Sequence, residues 1–185
     1  MKFAAVTTLS ILLASCAPQR SSLEVYGNVP DFELVAQNGQ PFHGGGLAGT
    51  IWVADFIYTM CPGPCPRMTS QMREVADAVR QMRDVKLVSF TVDPARDTPQ
   101  VLADYAKLHG ASSDRWFFLT GPPATLQKLD RDAFKLGNID AGLEHSTRFV
   151  LVDRQSRIRG YYDTSESRAI PRLIEDIFAL ARERS

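Results

Sequence analysis

The feature that most constrains this chain is the run Ile51-Trp-Val-Ala-Asp-Phe-Ile-Tyr58, which breaks at once into Thr59-Met-Cys-Pro-Gly-Pro-Cys-Pro66. A short stretch of mainly apolar, β-branched and aromatic residues closed by a Pro- and Gly-rich turn reads as a strand buried on both faces. Such a strand needs neighbouring strands on either side and helices above and below. Pro66 can open a helix, since a first-turn proline forfeits no intrahelical bond. Apolar residues at Met68, Met72, Val75, Ala76, Val79 and Met82 continue that helix at its own period. Cys61 and Cys65 therefore sit at a strand-to-helix turn, with Cys65 at the helix N-terminus.

The remaining elements follow in an ordered series. Residues 31–43 predict a hairpin turned at Asn38-Gly39, and Gly44 to Gly49 is a loop. Val85–Val92 reads as a second buried strand. Thr98 and Pro99 cap and open a helix that Gly110 ends near His109. Trp116–Leu119 is a short strand and Pro123–Phe134 a helix. Arg148–Val152 and Arg157–Tyr162 pair as a hairpin, and a last helix runs from about Ile170 to Arg184, capped near Ser165 or Ser167. The order β-α-β-α-β-α-β-β-α predicts an α/β domain resembling the thioredoxin layout, with an N-terminal β-hairpin extension.

The N-terminus belongs to another function. Lys2 is followed by the uncharged, mostly apolar run Ala4–Leu13, which is too short to span a bilayer. Leu13-Ala14-Ser15-Cys16 resembles a bacterial lipobox, whose cysteine is lipidated after cleavage. The expected division is a signal peptide over 1–15, a lipid-attached tether over 16–29 with Cys16 as the lipidation site, and a folded domain over 30–185. This predicts a protein on the periplasmic or extracytoplasmic face of a bacterial cell envelope, anchored to the membrane without spanning it. Twenty-one basic and twenty-one acidic residues leave no net charge, so no nucleic-acid footprint is expected.

Of the three cysteines, lipidation of Cys16 would leave Cys61 and Cys65 facing an oxidising compartment. A loop of three intervening residues removes little chain entropy when closed, so the pair is a poor structural staple. The helix N-terminus favours thiolate, which is both nucleophile and metal ligand. The pair can therefore exchange disulfides or hold a soft ion such as Cu(I). Of the three histidines, His43 and His109 read as surface residues. His145 precedes the strand Arg148–Val152, whose entry loop faces the cysteine loop in a thioredoxin layout. Cys61, Cys65 and His145 suit copper, and can also hold zinc, which normally takes a fourth ligand. Glu144 is placed to orient the His145 ring. Met60 and Met68 carry thioethers, but Met68 falls on the core face of its helix.

Three blocks carry a family resemblance. Asp55-Phe-Ile-Tyr-Thr-Met-Cys-Pro-Gly-Pro-Cys-Pro, Thr91-Val-Asp-Pro-Ala-Arg-Asp-Thr-Pro-Gln-Val-Leu and His145-Ser-Thr-Arg-Phe-Val-Leu-Val-Asp, with Trp116-Phe-Phe-Leu-Thr-Gly between, resemble the Sco/SenC copper chaperones of cytochrome oxidase assembly. The resemblance implies Cys61, Cys65 and His145 as ligands of Cu(I) and/or Cu(II). It implies delivery to the binuclear copper site of cytochrome c oxidase subunit II by a monomer, with a periplasmic copper donor and a thiol reductant as further partners. It makes no ligand of Asp93, Arg96 or Asp97, which read as a strand exit and helix start. The chain departs from many relatives in Pro62-Gly63-Pro64 between the cysteines and in Glu144 before the histidine. The alternative is an exported thiol-disulfide oxidoreductase in which Cys61 attacks and Cys65 resolves, acting on the oxidase copper-site cysteines or other exported proteins. A peroxidase with Thr59 and Arg148 beside one cysteine, and a copper sensor without a transfer partner, complete the alternatives.

Overall fold

The computed structural model describes residues 23–111, 114–137 and 145–183. The predicted signal peptide, the lipidation site Cys16 and Glu144 lie outside the described residues. Among those described, no helix is long and apolar enough to cross a membrane.

One eight-stranded sheet organises the domain, in the order β1 (Gly27–Asn28), β8 (Arg157–Asp163), β7 (Arg148–Val152), β4 (Ile51–Ile57), β5 (Val85–Thr91), β6 (Trp116–Thr120), β2 (Glu33–Ala36), β3 (Pro41–His43). All seven residues of β4 are buried. β4 pairs in parallel with β5 and antiparallel with β7, and β5 pairs in parallel with β6. Four helices cover the faces: α1 (Cys65–Ala78), α2 (Pro99–Leu108), α3 (Pro123–Lys128) and α4 (Ala169–Arg182). The pleat divides the β4 side chains between two cores. Ile51, Val53 and Ile57 join Met68, Met72 and Val75 of α1, Leu102 of α2, and Leu173 and Ile177 of α4. Trp52, Ala54 and Phe56 join Phe90, Leu126 and Phe134 on the opposite face. This is the expected α/β layout, and the hairpin β2–β3 extends the sheet by pairing β2 with β6.

Local chemistry sets the boundaries. The hairpin turns at Gly39, whose φ of 79° suits a residue without Cβ. The Thr98 hydroxyl accepts from Val101 N–H at 3.4 Å, and Gly110, at φ 63°, closes α2. The Arg115 guanidinium satisfies the carbonyls of Val79, Arg80 and Met82 beyond α1, complementing the negative helix end.

Three expectations change. The helix predicted over 123–134 is α3 followed by a π-turn, Leu129–Ala133, closed by Phe134 N–H to the Leu129 carbonyl at 2.8 Å. The wider turn keeps Leu129, Ala133 and Phe134 in the core. No serine caps α4: Arg168 stands at the cap without a side-chain bond, and Ser165 is instead held by Asp163. Residues 23–29, assigned to the tether, run along the sheet edge, where Gly27 and Asn28 pair with Ile158 and Arg157.

Beyond that backbone pairing, the segment is held by Arg159, whose side chain is 4% exposed. Its guanidinium donates to Asp153 at 2.8 Å, to Glu183 at 3.0 and 3.1 Å, and to the carbonyls of Leu23 at 3.0 Å and Glu24 at 3.3 Å. The ion cluster joins the N-terminal segment, the β7–β8 turn and the chain just past α4. Removing one member of a buried ion cluster leaves charge uncompensated. Arg159→Ala is therefore expected to cost about 3 kcal/mol in equilibrium urea unfolding. A loss under about 1 kcal/mol, the worth of an exposed pair, would show that the cluster is no more than a surface interaction.

Candidate metal centre

The exit of β4 leads through Tyr58–Pro64 to Cys65, the first residue of α1. Pro64 at the cap offers no side-chain bond, and its carbonyl accepts from Met68 N–H at 3.0 Å. Cys65 is fully buried and Cys61 is 8% exposed, at the outer edge of the same pocket of core. Both are free thiols. β7 runs antiparallel beside β4, with Ala54 opposite Val150, so the chain entering β7 arrives where β4 ends. That neighbourhood brings His145 to the cysteines.

The three ligating atoms lie within 4.8 Å of one another. Cys65 Sγ is 3.2 Å from His145 Nε2. His145 Nδ1 is 3.0 Å from the Ser146 carbonyl, which can only accept. The imidazole proton therefore resides on Nδ1, and Nε2 presents its lone pair to the Cys65 thiol. Burial lowers the His145 pKa, and the Ser146 carbonyl opposes this only in part, so the ring stays neutral near pH 7. The Tyr58 ring stands edge-on to the imidazole, with centroids 6.0 Å apart.

The two thiols differ. Burial acts to raise the Cys61 pKa, but hydrogen bonds from Cys65, the Gly63 backbone and the Tyr58 hydroxyl outweigh it and lower the value. Cys65 shifts strongly upward, first from burial, then from its bond to Cys61, with the charge of the Cys61 thiolate adding to the rise. The helix N-terminus was expected to favour a thiolate at Cys65. Burial overrides it, and Cys61 is the more acidic thiol.

The donor set fits a soft ion. Three ligands at about 2.2 Å from a common centre would stand about 3.8 Å apart, so the Cys65–His145 pair, at 3.2 Å, would open slightly and any wider pair in the 4.8 Å cluster would close. Two sulfurs and one imidazole nitrogen form a soft, three-coordinate set matched to copper. Met60 is 73% exposed and Met68 fully buried, as the helical period implied. Of the two histidines read as surface residues, His43 is exposed beside Glu33 at 3.4 Å. His109 is half-buried, its ring tilted 47° against that of Tyr105 with centroids 4.4 Å apart. Neither approaches the cluster.

Known proteins match this arrangement. The SCO1/SenC family model covers residues 21–182. The chain belongs to the SCO1/SenC family. A Stutzerimonas stutzeri protein named for an inferred copper-binding role is 33% identical over 174 residues, spanning 84% of this chain and 83% of its own. A SCO1/SenC family lipoprotein from Bacillus anthracis superposes with a TM-score of 0.77 at 29% identity, covering 84% of this chain and 95% of its own. BsSco, a member of the Sco family of cytochrome c oxidase assembly proteins in which a disulfide switch was identified, superposes with a TM-score of 0.76 at 28% identity, over 88% of this chain and 98% of its own. This SCO1/SenC fold is the thioredoxin-like one expected.

One residue behind the site escaped the motif-based reading. Asp55, on the buried strand β4, is fully buried, and burial pushes its pKa up to about 7. Ser89, opposite it on β5, offers some relief and also accepts from Trp116 Nε1 at 3.0 Å. A lone acid in an apolar strand was the available signal. The folded chain holds a proton there that the unfolded chain releases above about pH 4. Stability from this group therefore falls as pH rises from about 4 to about 7, by up to roughly 4 kcal/mol. Asp55→Asn is expected to raise the melting temperature more at pH 8 than at pH 5. Equal shifts at both pH values in thermal melts would exclude a proton at this position.

Proposed function

We propose that the chain is a copper chaperone: Cys61, Cys65 and His145 bind copper, as Cu(I) and/or Cu(II), and pass it to the binuclear copper site of cytochrome c oxidase subunit II. The observation that carries this reading is the gathering of two sulfurs and an imidazole nitrogen within 4.8 Å, with the ring proton held away on Nδ1. Membership of the SCO1/SenC family, the copper-binding name of one relative and the oxidase-assembly role named for BsSco support it. Transfer proceeds by ligand exchange. An incoming thiolate takes up the copper bond that the Cys61 sulfur gives up, since Cys61 lies at the edge; Cys65 and His145 follow.

The envelope setting belongs to the same proposal. Cleavage before Cys16, lipidation there and a short tether would hold the domain, as a monomer, at the extracytoplasmic face, where a periplasmic copper donor loads it and a thiol reductant keeps the pair open. The lipoprotein from Bacillus anthracis supports this placement. A second reading has its own observation. The unequal thiols, Cys61 lowered and Cys65 raised, suit a thiol-disulfide oxidoreductase in which Cys61 attacks and Cys65 resolves. The two chemistries are compatible, because the dithiol is what binds copper.

The reduced protein, loaded with copper under nitrogen and titrated against a chelator, is expected to bind one ion. Cys61→Ser, Cys65→Ser and His145→Ala should each weaken binding by more than about 10- to 100-fold, the range that outer-shell partners alone command. Mixed with the reduced soluble domain of subunit II, the loaded protein should generate the absorption of the binuclear centre. Undiminished binding by His145→Ala, alongside ready reduction of protein disulfides, would replace the chaperone reading with the oxidoreductase one.

A further inference from the structure

The segment that carries Cys61 is short, and two of its residues are prolines that donate no backbone hydrogen bond. Internally, Cys61 N–H reaches the Tyr58 carbonyl at 3.3 Å. Two further bonds reach outward, both from Thr59 and both to one carboxylate. The Thr59 amide donates to Asp97 Oδ2 at 3.2 Å, and its hydroxyl donates to Oδ1 at 2.6 Å. Among the described residues these are the side-chain hydrogen bonds that tie residues 58–64 to an element other than α1, to which Cys61 is joined through the Cys65 thiol. Asp97 is 1% exposed. It sits just before the Thr98 cap of α2, and its Oδ2 also accepts from the Thr91 hydroxyl at the end of β5 at 2.5 Å. The Thr91 oxygen in turn accepts from Asp93 N–H at 3.0 Å. A buried carboxylate needs such donors, and the charge makes each bond stronger than a neutral one.

We propose that Asp97 is a positioning residue for the metal centre: gripping Thr59 by both amide and hydroxyl, it fixes the turn that carries Tyr58 and Cys61, and so the place of the Cys61 sulfur against Cys65 and His145. The proposal rests on the copper-binding reading and deepens it. Cys65 is carried by a helix and fully buried, so its sulfur has little freedom. Cys61 has no such support of its own, and its neighbour Tyr58 both bonds its thiol and abuts the His145 ring. A turn free to wander would have to be ordered again at each binding event, which costs affinity. Asp97 removes that cost beforehand, from the side of the turn where it competes with no ligand. The α2 cap is left to Thr98, so the acid one position earlier is explained by the grip on Thr59 rather than by the helix.

Three substitutions separate positioning from folding. Thr59→Val deletes the hydroxyl bond on the turn, Thr91→Val deletes one to the same carboxylate on β5, and Thr59→Ser restores the first. Chelator competition for copper and the sulfur-to-Cu(II) absorption band are measured for each, together with the melting temperature and the reduction potential of the Cys61–Cys65 pair. Thr59→Val is expected to bind copper about ten-fold more weakly, as the loss of one charge-assisted bond implies, with a shifted band and an altered potential. Thr59→Ser should recover all three. Thr91→Val, which leaves both Thr59 bonds in place, should melt lower but lose less affinity, and shift its band and potential less, than Thr59→Val. Thr59→Val with wild-type affinity, band and potential would overturn the proposal, as would Thr91→Val with losses equal to those of Thr59→Val. If the wild-type protein itself takes no copper, the copper-binding reading fails; the potentials of the two valine variants then still decide whether Asp97 places Cys61.

Discussion

The burial of β4 on both faces is the constraint from which the site follows. A strand covered above and below has no solvent-facing side chains along its length, so the chain can expose chemistry only where the strand ends. The parallel neighbour β5 and the antiparallel neighbour β7 fix what stands beside that end. β5 finishes there, delivering Thr91 and then Asp97. β7 begins there, delivering His145. The helix α1 starts there, delivering Cys65. Groups up to 84 residues apart in sequence meet because one buried strand stops (the span from Cys61 to His145).

Much of this was legible in the sequence. The apolar run, the proline-rich turn and the helical period after it set the strand-to-helix position of the cysteines. Thr98, Pro99 and Gly110 bounded α2 because caps act within a turn of the residues concerned. What stayed hidden was decided by tertiary contacts. The π-turn after α3 forms because Phe134 seats in a core that periodicity does not describe. Ser165 and Ser167 were plausible caps until Asp163 claimed the former. Residues 23–29 lack any strand pattern; they join the sheet by backbone pairing with β8 and are tied down by Arg159, whose partners lie 24 and 135 residues away in Glu183 and Glu24.

The site itself was legible as a residue set and illegible as electrostatics. Spacing and order brought Cys61, Cys65 and His145 forward together. They gave no account of which thiol is the more acidic, because the helix N-terminus and desolvation act on Cys65 in opposite senses. Helix-end effects are typically worth under about 1 kcal/mol at exposed positions. Full burial of a would-be thiolate costs more, so desolvation wins. Asp97 was hidden for another reason: its neighbour Thr98 supplied a sufficient local explanation for the segment. Only the spatial approach of the β4 exit to the β5 exit gives the acid its own partner.

The resulting asymmetry bears on how one site would serve the two chemistries considered for it. Cys65 is held by a helix, enclosed, and linked to His145; Cys61 is at the edge, more acidic, and held through the turn. For a metal cargo, the fixed half retains the ion while the edge sulfur is exchanged, so the ion need never be free between carriers. For disulfide exchange, the edge thiolate would attack first; the enclosed thiol would then give up its proton, which His145 Nε2 at 3.2 Å can accept, and its sulfur would resolve the mixed disulfide. Both sequences of events begin at Cys61 for the same physical reason, that it is the sulfur a partner can reach in its reactive form.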